Sequence, residues 1–370
     1  LRERAPGATV YANERAVGVD QIDLSGEEAI EERRFCDRCS NMVREAKEAA
    51  SRSACPQCGS PTWSDQGQVQ ALVRHEEVRA TTSDRESRVD DPSEGRGEEP
   101  FEISFQPQIE ESNVERAYRI DSEDLPFGFE FIEEATFREV NFGNLEEQAT
   151  LQAGGEEVNG QGFSTCRNCG RVATGGDPID HTRSCPAKGT EGEEGSGGAA
   201  ETVHLYREIS SEAVRILLPE TSFAGKPEKV QSFKAAFEMG LEKHFQGSVA
   251  HLNTKVHEGP GDEKTARRKY LLLYDTVPGG TGYLAELLRD ETVLLQVLRE
   301  ARDALSECPC ADEEGRDGCY RCLYAYRNQY NMPHTSRSVA QQLLSDILSH
   351  SGRIKEIDTV RQISVDGALE

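Results

Sequence analysis

The cysteines of this 370-residue chain are its strongest chemical signal, because most of them occur in close pairs. The clearest group combines two CxxC turns separated by fifteen residues: Cys36, Cys39, Cys55 and Cys58. A CxxC turn brings two thiolates to one metal ion, and two such turns complete a tetrahedral four-sulfur site. Because four protein ligands leave no open coordination position, this spacing predicts a structural zinc ribbon rather than a catalytic metal.

A second group of four cysteines lies further along the chain: Cys308, Cys310, Cys319 and Cys322. One residue separates its first pair, and Gly318 supplies a turn that lets the loop fold back. This group also predicts a four-cysteine zinc site. Four thiolates suit an iron–sulfur cluster as well, and although the tight loop favours zinc, the spacing leaves both metals open.

The remaining cysteines, Cys166, Cys169 and Cys185, predict a third zinc site that needs one further ligand. His181 lies four residues before Cys185 on the same turn, so we expect it to complete the site. Two aspartates are alternatives for that position: Asp177 and Asp180. Together the three groups predict two to three Zn²⁺ ions.

A glycine-rich turn joins an apolar segment to a helical one within residues 271–284. Its candidate residues are Asp275, Pro278, Gly279, Gly280 and Gly282. Glycines at a strand-to-helix turn expose backbone N–H groups toward the helix N-terminus, which suits a phosphate. The same glycines also suit a structural tight turn that needs positive φ values, so both interpretations stay open. The turn lacks the Lys-Ser/Thr of a Walker A loop, and we expect no ATP hydrolysis by this chain alone.

Residues 320–330 interleave tyrosines and arginines beside the last cysteine group. Aromatic rings stack on bases and guanidinium groups meet phosphates, so this stretch predicts contact with single-stranded DNA. A small basic cluster before an apolar strand adds to the set. The candidate nucleic-acid-binding residues are Tyr320, Arg321, Tyr324, Tyr326, Arg327, Arg267, Arg268 and Lys269. The alternative is that the tyrosines only pack around the metal loop.

The hydrophobic patterns predict a multidomain chain of the α+β or α/β class. Four segments are expected: an N-terminal zinc-ribbon module at 1–83, a β-rich region at 101–165, a second zinc module with a linker at 166–200, and an α/β domain at 201–352 that carries the last cysteine group. Strands alternate with helices in the last segment, where helices are predicted at 227–245 and 283–305. The polar stretch 84–100 predicts a disordered loop.

The composition is acidic, with a formal net charge of −25 and 32 arginines against 10 lysines. Carboxylate-rich, lysine-poor surfaces keep proteins hydrated in salt-rich cytoplasm, so we expect a halophilic, cytoplasmic protein. No apolar run approaches the roughly 20 residues of a membrane span, and no signal-peptide pattern opens the chain. Paired cysteines in such a chain predict reduced thiolates that hold metal rather than disulfides. The chain begins without Met, and we expect it to be a fragment or a processed form of something longer.

The segment LYDTVPGGTGYLAELL, followed by CPC, GCYRC and a closing helix, resembles the C-terminal zinc-binding domain of MrfA-type superfamily 2 DEAD/DEAH-box helicases. Similar domains occur in the helicase-partner subunit of the DISARM antiphage system. The resemblance covers residues 200–350 closely and the first 60 residues loosely. The motor itself has no counterpart in the sequence.

This resemblance implies that the last four cysteines bind metal. It further implies an accessory region of a DNA helicase, or a partner subunit to one, in DNA repair or antiphage defence. Such a region would position nucleic acid beside the motor. The alternative is a multi-zinc protein–protein scaffold that touches no nucleic acid.

Overall fold

A computed structural model provides the structure of the chain. It describes residues 4–12, 15–24, 26, 28–81, 101–122, 125–145, 151–173, 177–188, 200–219, 223, 227–247, 249–259, 267–313, 317–324 and 332–363. The predicted disordered loop at 84–100 and most of the linker at 186–200 lie outside these residues.

The described residues form a mixed α+β structure with many strands and few helices, as the sequence predicts. The strands are β1 (Thr9–Ala12), β2 (Arg15–Ile22), β3 (Ile30–Phe35), β4 (Met42–Arg44), β5 (Val69–Arg74), β6 (Val78–Thr81), β7 (Phe101–Gln108), β8 (Val114–Ile120), β9 (Gly128–Asn144), β10 (Leu151–Ala153), β11 (Glu156–Val158), β12 (Phe163–Cys166), β13 (Ala200–Leu217), β14 (Leu252–Gly259), β15 (Arg268–Asp275) and β16 (Ile354–Ile357). The α-helices are α1 (Lys47–Ala50), α2 (Pro227–His244), α3 (Tyr283–Leu287), α4 (Glu291–Ser306) and α5 (Arg337–Ser349).

One large sheet contains eleven of the described strands. Its main path runs β16-β8-β9-β13-β5-β3-β4, while β12 and β15 pair with β13, β14 pairs with β15, and β7 pairs with β9. The strands of the predicted C-terminal domain are antiparallel: β13 pairs with β15, and β15 with β14, in this orientation. The C-terminal segment therefore combines antiparallel strands with helices, because alternation of strands and helices along the chain does not fix strand direction.

Two compact units divide the chain. Unit 1 comprises residues 1–108 and 137–208, and unit 2 comprises residues 109–136 and 209–370. The four segments predicted from the sequence do not coincide with these units, since both strand β9 and strand β13 contribute residues to each unit. That four-part division stays a prediction about the chain's modules.

The core of unit 2 depends on helices α2, α4 and α5. Helix α4 begins where the Asp290 carboxylate accepts a hydrogen bond from the N–H of Thr292 at 2.9 Å, and this cap interrupts the single helix predicted at 283–305. Gly240 of α2 allows close approach to α4, because a Cβ there would lie 2.7 Å from the Val297 carbonyl oxygen. The helices pack in the same core as apolar residues of strand β15, which leads to the glycine turn, and α4 leads to the last cysteine group.

Candidate zinc centres and their surroundings

The structure brings eleven cysteines and one histidine together as three quartets, in each of which all ligand atoms lie within 4.8 Å of one another. Site 1 contains Cys36, Cys39, Cys55 and Cys58; site 2 contains Cys166, Cys169, His181 and Cys185; site 3 contains Cys308, Cys310, Cys319 and Cys322. All eleven cysteines lie within the described residues and form no disulfide. Zn–S and Zn–N bonds of about 2.3 and 2.0 Å in a tetrahedron imply ligand separations of about 3.8 and 3.6 Å.

Site 1 is formed where two short loops meet. Strand β3 delivers Cys36, whose Sγ lies 3.4 Å from that of Cys58, while the Sγ atoms of Cys39 and Cys55 lie 3.7 Å apart. These separations fit one tetrahedral ion. Trp63 is buried against the group and donates its indole N–H to the carbonyl of Ala49 at 3.3 Å. The site thus has its own small apolar cluster.

Site 2 follows strand β12, which ends at Cys166. The Nδ1 atom of His181 lies 3.6 Å from the Sγ of Cys169 and 3.5 Å from that of Cys185, as a Cys₃His zinc site requires. The two alternative aspartates, Asp177 and Asp180, are exposed and lie outside this quartet.

The Cys169 thiol shows how site 2 favours the thiolate. Burial opposes its ionisation, but the backbone N–H groups of Thr182 and Arg171 donate to it, and the side chains of His181 and Cys185 act in the same direction. Its pKa therefore falls to about 6. Because the thiolate is the form that binds zinc, this environment suits a metal ligand.

Site 3 is the most deeply embedded of the three. Its Sγ–Sγ separations include 3.4 Å, between Cys308 and Cys310, and 3.8 Å, between Cys319 and Cys322, and all four Sγ atoms lie within 4.8 Å of one another. All four cysteines belong to the main hydrophobic core of unit 2. An iron–sulfur cluster would place several iron and sulfide ions between the thiolates, for which these separations leave no room, so they favour a single zinc ion.

The glycine turn after strand β15 is held by two buried carboxylates. Asp275 accepts hydrogen bonds from the N–H groups of Val277 at 2.8 Å and Thr281 at 2.9 Å. Glu212 of β13 accepts from the N–H of Gly282 at 2.8 Å. These N–H groups already face anionic oxygen atoms, which would repel a phosphate. The geometry thus supports the structural interpretation of the turn. Glu212 was not predicted from the sequence, because β13 also carries Glu201 and Glu208 and no local pattern separates Glu212 from them.

Gly279 and Gly280 provide a matched test of this turn. Both have positive φ, +80° and +78°, but a Cβ on Gly280 would lie 2.5 Å from Cγ of Glu212, whereas one on Gly279 meets nothing within 4 Å. We expect Gly279→Ala to cost about 1 kcal/mol of unfolding free energy from backbone strain, and Gly280→Ala to cost clearly more. Urea unfolding of both variants measures the difference; equal losses would mean that Glu212 does not pack against the turn.

The sequence of this region also matches a known family. Residues 233–323 match the family model of the MrfA Zn-binding domain. Because of this similarity, we call residues 233–323 the MrfA-type domain. The match contains most of helix α2, the whole glycine turn and all four cysteines of site 3.

One solved structure resembles a large part of the chain. A crystal structure of the DUF1998 helicase MrfA bound to DNA is similar at 10% sequence identity and a TM-score of 0.34, covering 68% of this chain and 25% of that chain. This chain thus spans about a quarter of the length of that helicase. No curated protein matches the sequence.

The tyrosine–arginine stretch begins within the MrfA-type domain. Tyr320 is 77% exposed, and Arg321 beside it is also exposed. Tyr324 is half-buried, packs its ring against Gly318 and lies 6.3 Å from the Tyr320 ring in an edge-on arrangement. Only Tyr320 among the described tyrosines of this stretch therefore presents an open ring face. Two further candidates, Tyr326 and Arg327, lie outside the described residues.

The basic cluster of the MrfA-type domain is engaged by protein groups. Arg268 is 4% exposed and donates from Nη1 to the carbonyl of Arg361 at 2.7 Å. Lys269 pairs with Glu258 at 3.0 Å, and Arg267 pairs with the same carboxylate at 3.8 Å. A nucleic-acid role for these three residues stays a prediction, and the structure gives their side chains partners within the protein.

Helix length and hydropathy bear on a membrane location. Among the residues that the structure describes, no helix is long and apolar enough to cross a bilayer.

Proposed function

We propose that the chain is an accessory region of a DNA helicase, or a partner subunit to one, and that its zinc-held modules position nucleic acid beside the motor. The MrfA-type domain at residues 233–323 is the observation that supports this most directly. We place the protein in DNA repair or antiphage defence, in a cytoplasm where thiols stay reduced. The net charge of −25 supports a salt-rich cytoplasm.

The short loop between Cys319 and Cys322 of site 3 supplies the candidate DNA contact. Tyr320 and Arg321 lie between two cysteines of the quartet, and the N–H of Arg321 donates to the Sγ of Cys319 at 3.3 Å. A bound ion would therefore fix the backbone of both residues. A ring that is already fixed loses little entropy when a base stacks on it, and the neighbouring guanidinium can meet a phosphate.

We expect the chain to bind single-stranded DNA weakly, without sequence preference and with a shallow dependence on salt. The carboxylate-rich surface repels phosphates at low salt, whereas at 1 M salt this repulsion is screened within about 3 Å and stacking persists. Replacing Tyr320 with alanine should weaken binding by about 1–3 kcal/mol, the contribution of one stacked base. Fluorescence anisotropy with a labelled oligonucleotide, from low to molar salt, measures both quantities.

Tyr283 provides the matched control. It is a second exposed tyrosine of the same domain, 40% accessible, but its ring packs on Phe245 at 4.8 Å between ring centres. Tyr283→Ala should leave DNA affinity unchanged, and metal analysis should find the same zinc content in both variants. If the chain binds no oligonucleotide at any salt, the nucleic-acid role is lost and the multi-zinc scaffold takes its place.

A further inference from the structure

The module around site 2, residues 166–188, is locally basic within a strongly acidic chain. It contains four basic residues, Arg167, Arg171, Arg183 and Lys188, against only two carboxylates, Asp177 and Asp180. Arg171 is directed inward and pairs with Asp20. The other three basic residues are exposed, with 59% of the Arg167 side chain accessible. In a chain of net charge −25, such a local excess needs an explanation.

The three exposed cations are all placed by the zinc site. Arg167 directly follows Cys166, and the N–H of Gly170 returns to the Cys166 carbonyl at 2.8 Å. Arg183 lies midway between His181 and Cys185. Lys188 donates its N–H to the Cys185 carbonyl at 3.0 Å and its Nζ to the His181 carbonyl at 3.2 Å. Every one of these cations is thus within three residues of a ligand, so a bound metal would fix the backbone from which each side chain extends.

We infer that this module is a second nucleic-acid contact, which binds backbone phosphates through Arg167, Arg183 and Lys188. The inference rests on the proposed function, and it gives unit 1 a part that the MrfA-type domain does not cover. Exposed cations that pair with phosphates release the counterions condensed on the nucleic acid, which favours binding. Because phosphate contacts carry no sequence information, this contact is independent of sequence.

Glu201 is the internal competitor for this contact. Its carboxylate lies 2.6 Å from the Arg167 guanidinium and is 19% exposed. A phosphate that binds Arg167 must share it with, or take it from, Glu201. Removing this carboxylate should therefore strengthen phosphate binding, an effect opposite in sign to the removal of Arg167.

The test uses the full chain and a labelled single-stranded oligonucleotide. The logarithm of the DNA-binding constant falls as the logarithm of the salt concentration rises. Arg167→Gln, Arg183→Gln and Lys188→Gln should each make this negative slope shallower by about 0.7, because each removes one phosphate contact. Arg74→Gln is the matched control: Arg74 is also an exposed cation of unit 1, 53% accessible, and pairs with Glu76 at 3.2 Å. Its slope should equal that of the unchanged chain. Zinc content is measured for every variant, and Lys188→Arg, which keeps the charge, should retain the full slope.

The two glutamates complete the design. Glu201→Gln should tighten DNA binding, whereas Glu76→Gln, which removes the same charge from the control pair, should change it less. If DNA binds but the three substitutions leave the slope unchanged, the inference is wrong while the proposed function stands. The inference is also wrong if the chain binds poly-glutamate and the three substitutions abolish that binding while DNA binding is unchanged. The surface would then bind an acidic protein. If no variant and no parent binds DNA, both fail together.

Discussion

Cys310→Ser is expected to release one zinc ion and to prevent unit 2 from folding. Cys310 is 2% exposed, and the four cysteines of site 3 pack in the same core as the residues of helices α2, α4 and α5. In small zinc modules the free energy of zinc binding, about 10–16 kcal/mol, contributes directly to folding. This is at least as large as the roughly 5–15 kcal/mol by which a typical domain is stable, so losing the ion can unfold it. Circular dichroism melting and metal analysis should show the loss of helical signal together with the ion.

Cys36→Ser is the comparison that separates a local from a global role of zinc. In the described part of the chain, the cysteines of site 1 belong to a small hydrophobic cluster separate from the core of unit 2, and this cluster contains Trp63, the single tryptophan of the chain. Trp63 is 1% exposed, so its fluorescence reports specifically on this site. We expect Cys36→Ser to lose one ion and shift the tryptophan emission to longer wavelength while the helices of unit 2 remain. Unchanged metal content and melting in Cys310→Ser would contradict the integration of site 3 into the core.

Glu130→Ala is expected to cost about 3–5 kcal/mol, because it strands a buried positive charge. The Glu130 carboxylate is 0% exposed and accepts from Nε of Arg215 at 2.5 Å. It also accepts from the N–H of Val360 at 2.8 Å and the hydroxyl of Thr359 at 3.0 Å. One carboxylate thus ties the chain around residue 360 to strand β13. The midpoint of urea unfolding measures the loss.

Glu115→Ala removes a carboxylate of the same unit at the surface. Glu115 is 49% exposed, and its partner Arg116 lies at 3.1 Å. Exposed pairs contribute only about 0–1 kcal/mol, so this variant should unfold close to the parent. Similar losses in the two variants would show that the Glu130 pair is solvated rather than buried.

Local spacing made the three quartets of candidate zinc ligands predictable. Two cysteines in a CxxC turn lie near one another whatever the rest of the chain does, because three peptide bonds fix their separation. The helices at Pro227–His244 and Arg337–Ser349 were equally predictable, since their apolar period and their starting residues are local signals. The glycine motif and the cysteine spacing also carried the resemblance to the MrfA-type domain.

Contacts between residues far apart in the sequence decided the fourth residue of site 2, the partners of the glycine turn and the exposure of the side chains. His181 rather than an aspartate closes site 2 because the loop after strand β12 folds back to bring its ring within 3.6 Å of Cys169. An N–H group of the glycine turn is already hydrogen-bonded because Glu212 accepts from Gly282, about 70 residues away in the sequence. No local pattern encodes this contact. Likewise, only the packed core turns Arg268 inward and leaves Tyr320 exposed. The sequence by itself determined which residues could bind zinc, since that depends on short spacings; the tertiary structure alone decided which side chains face the solvent, because burial arises from segments far apart in the chain.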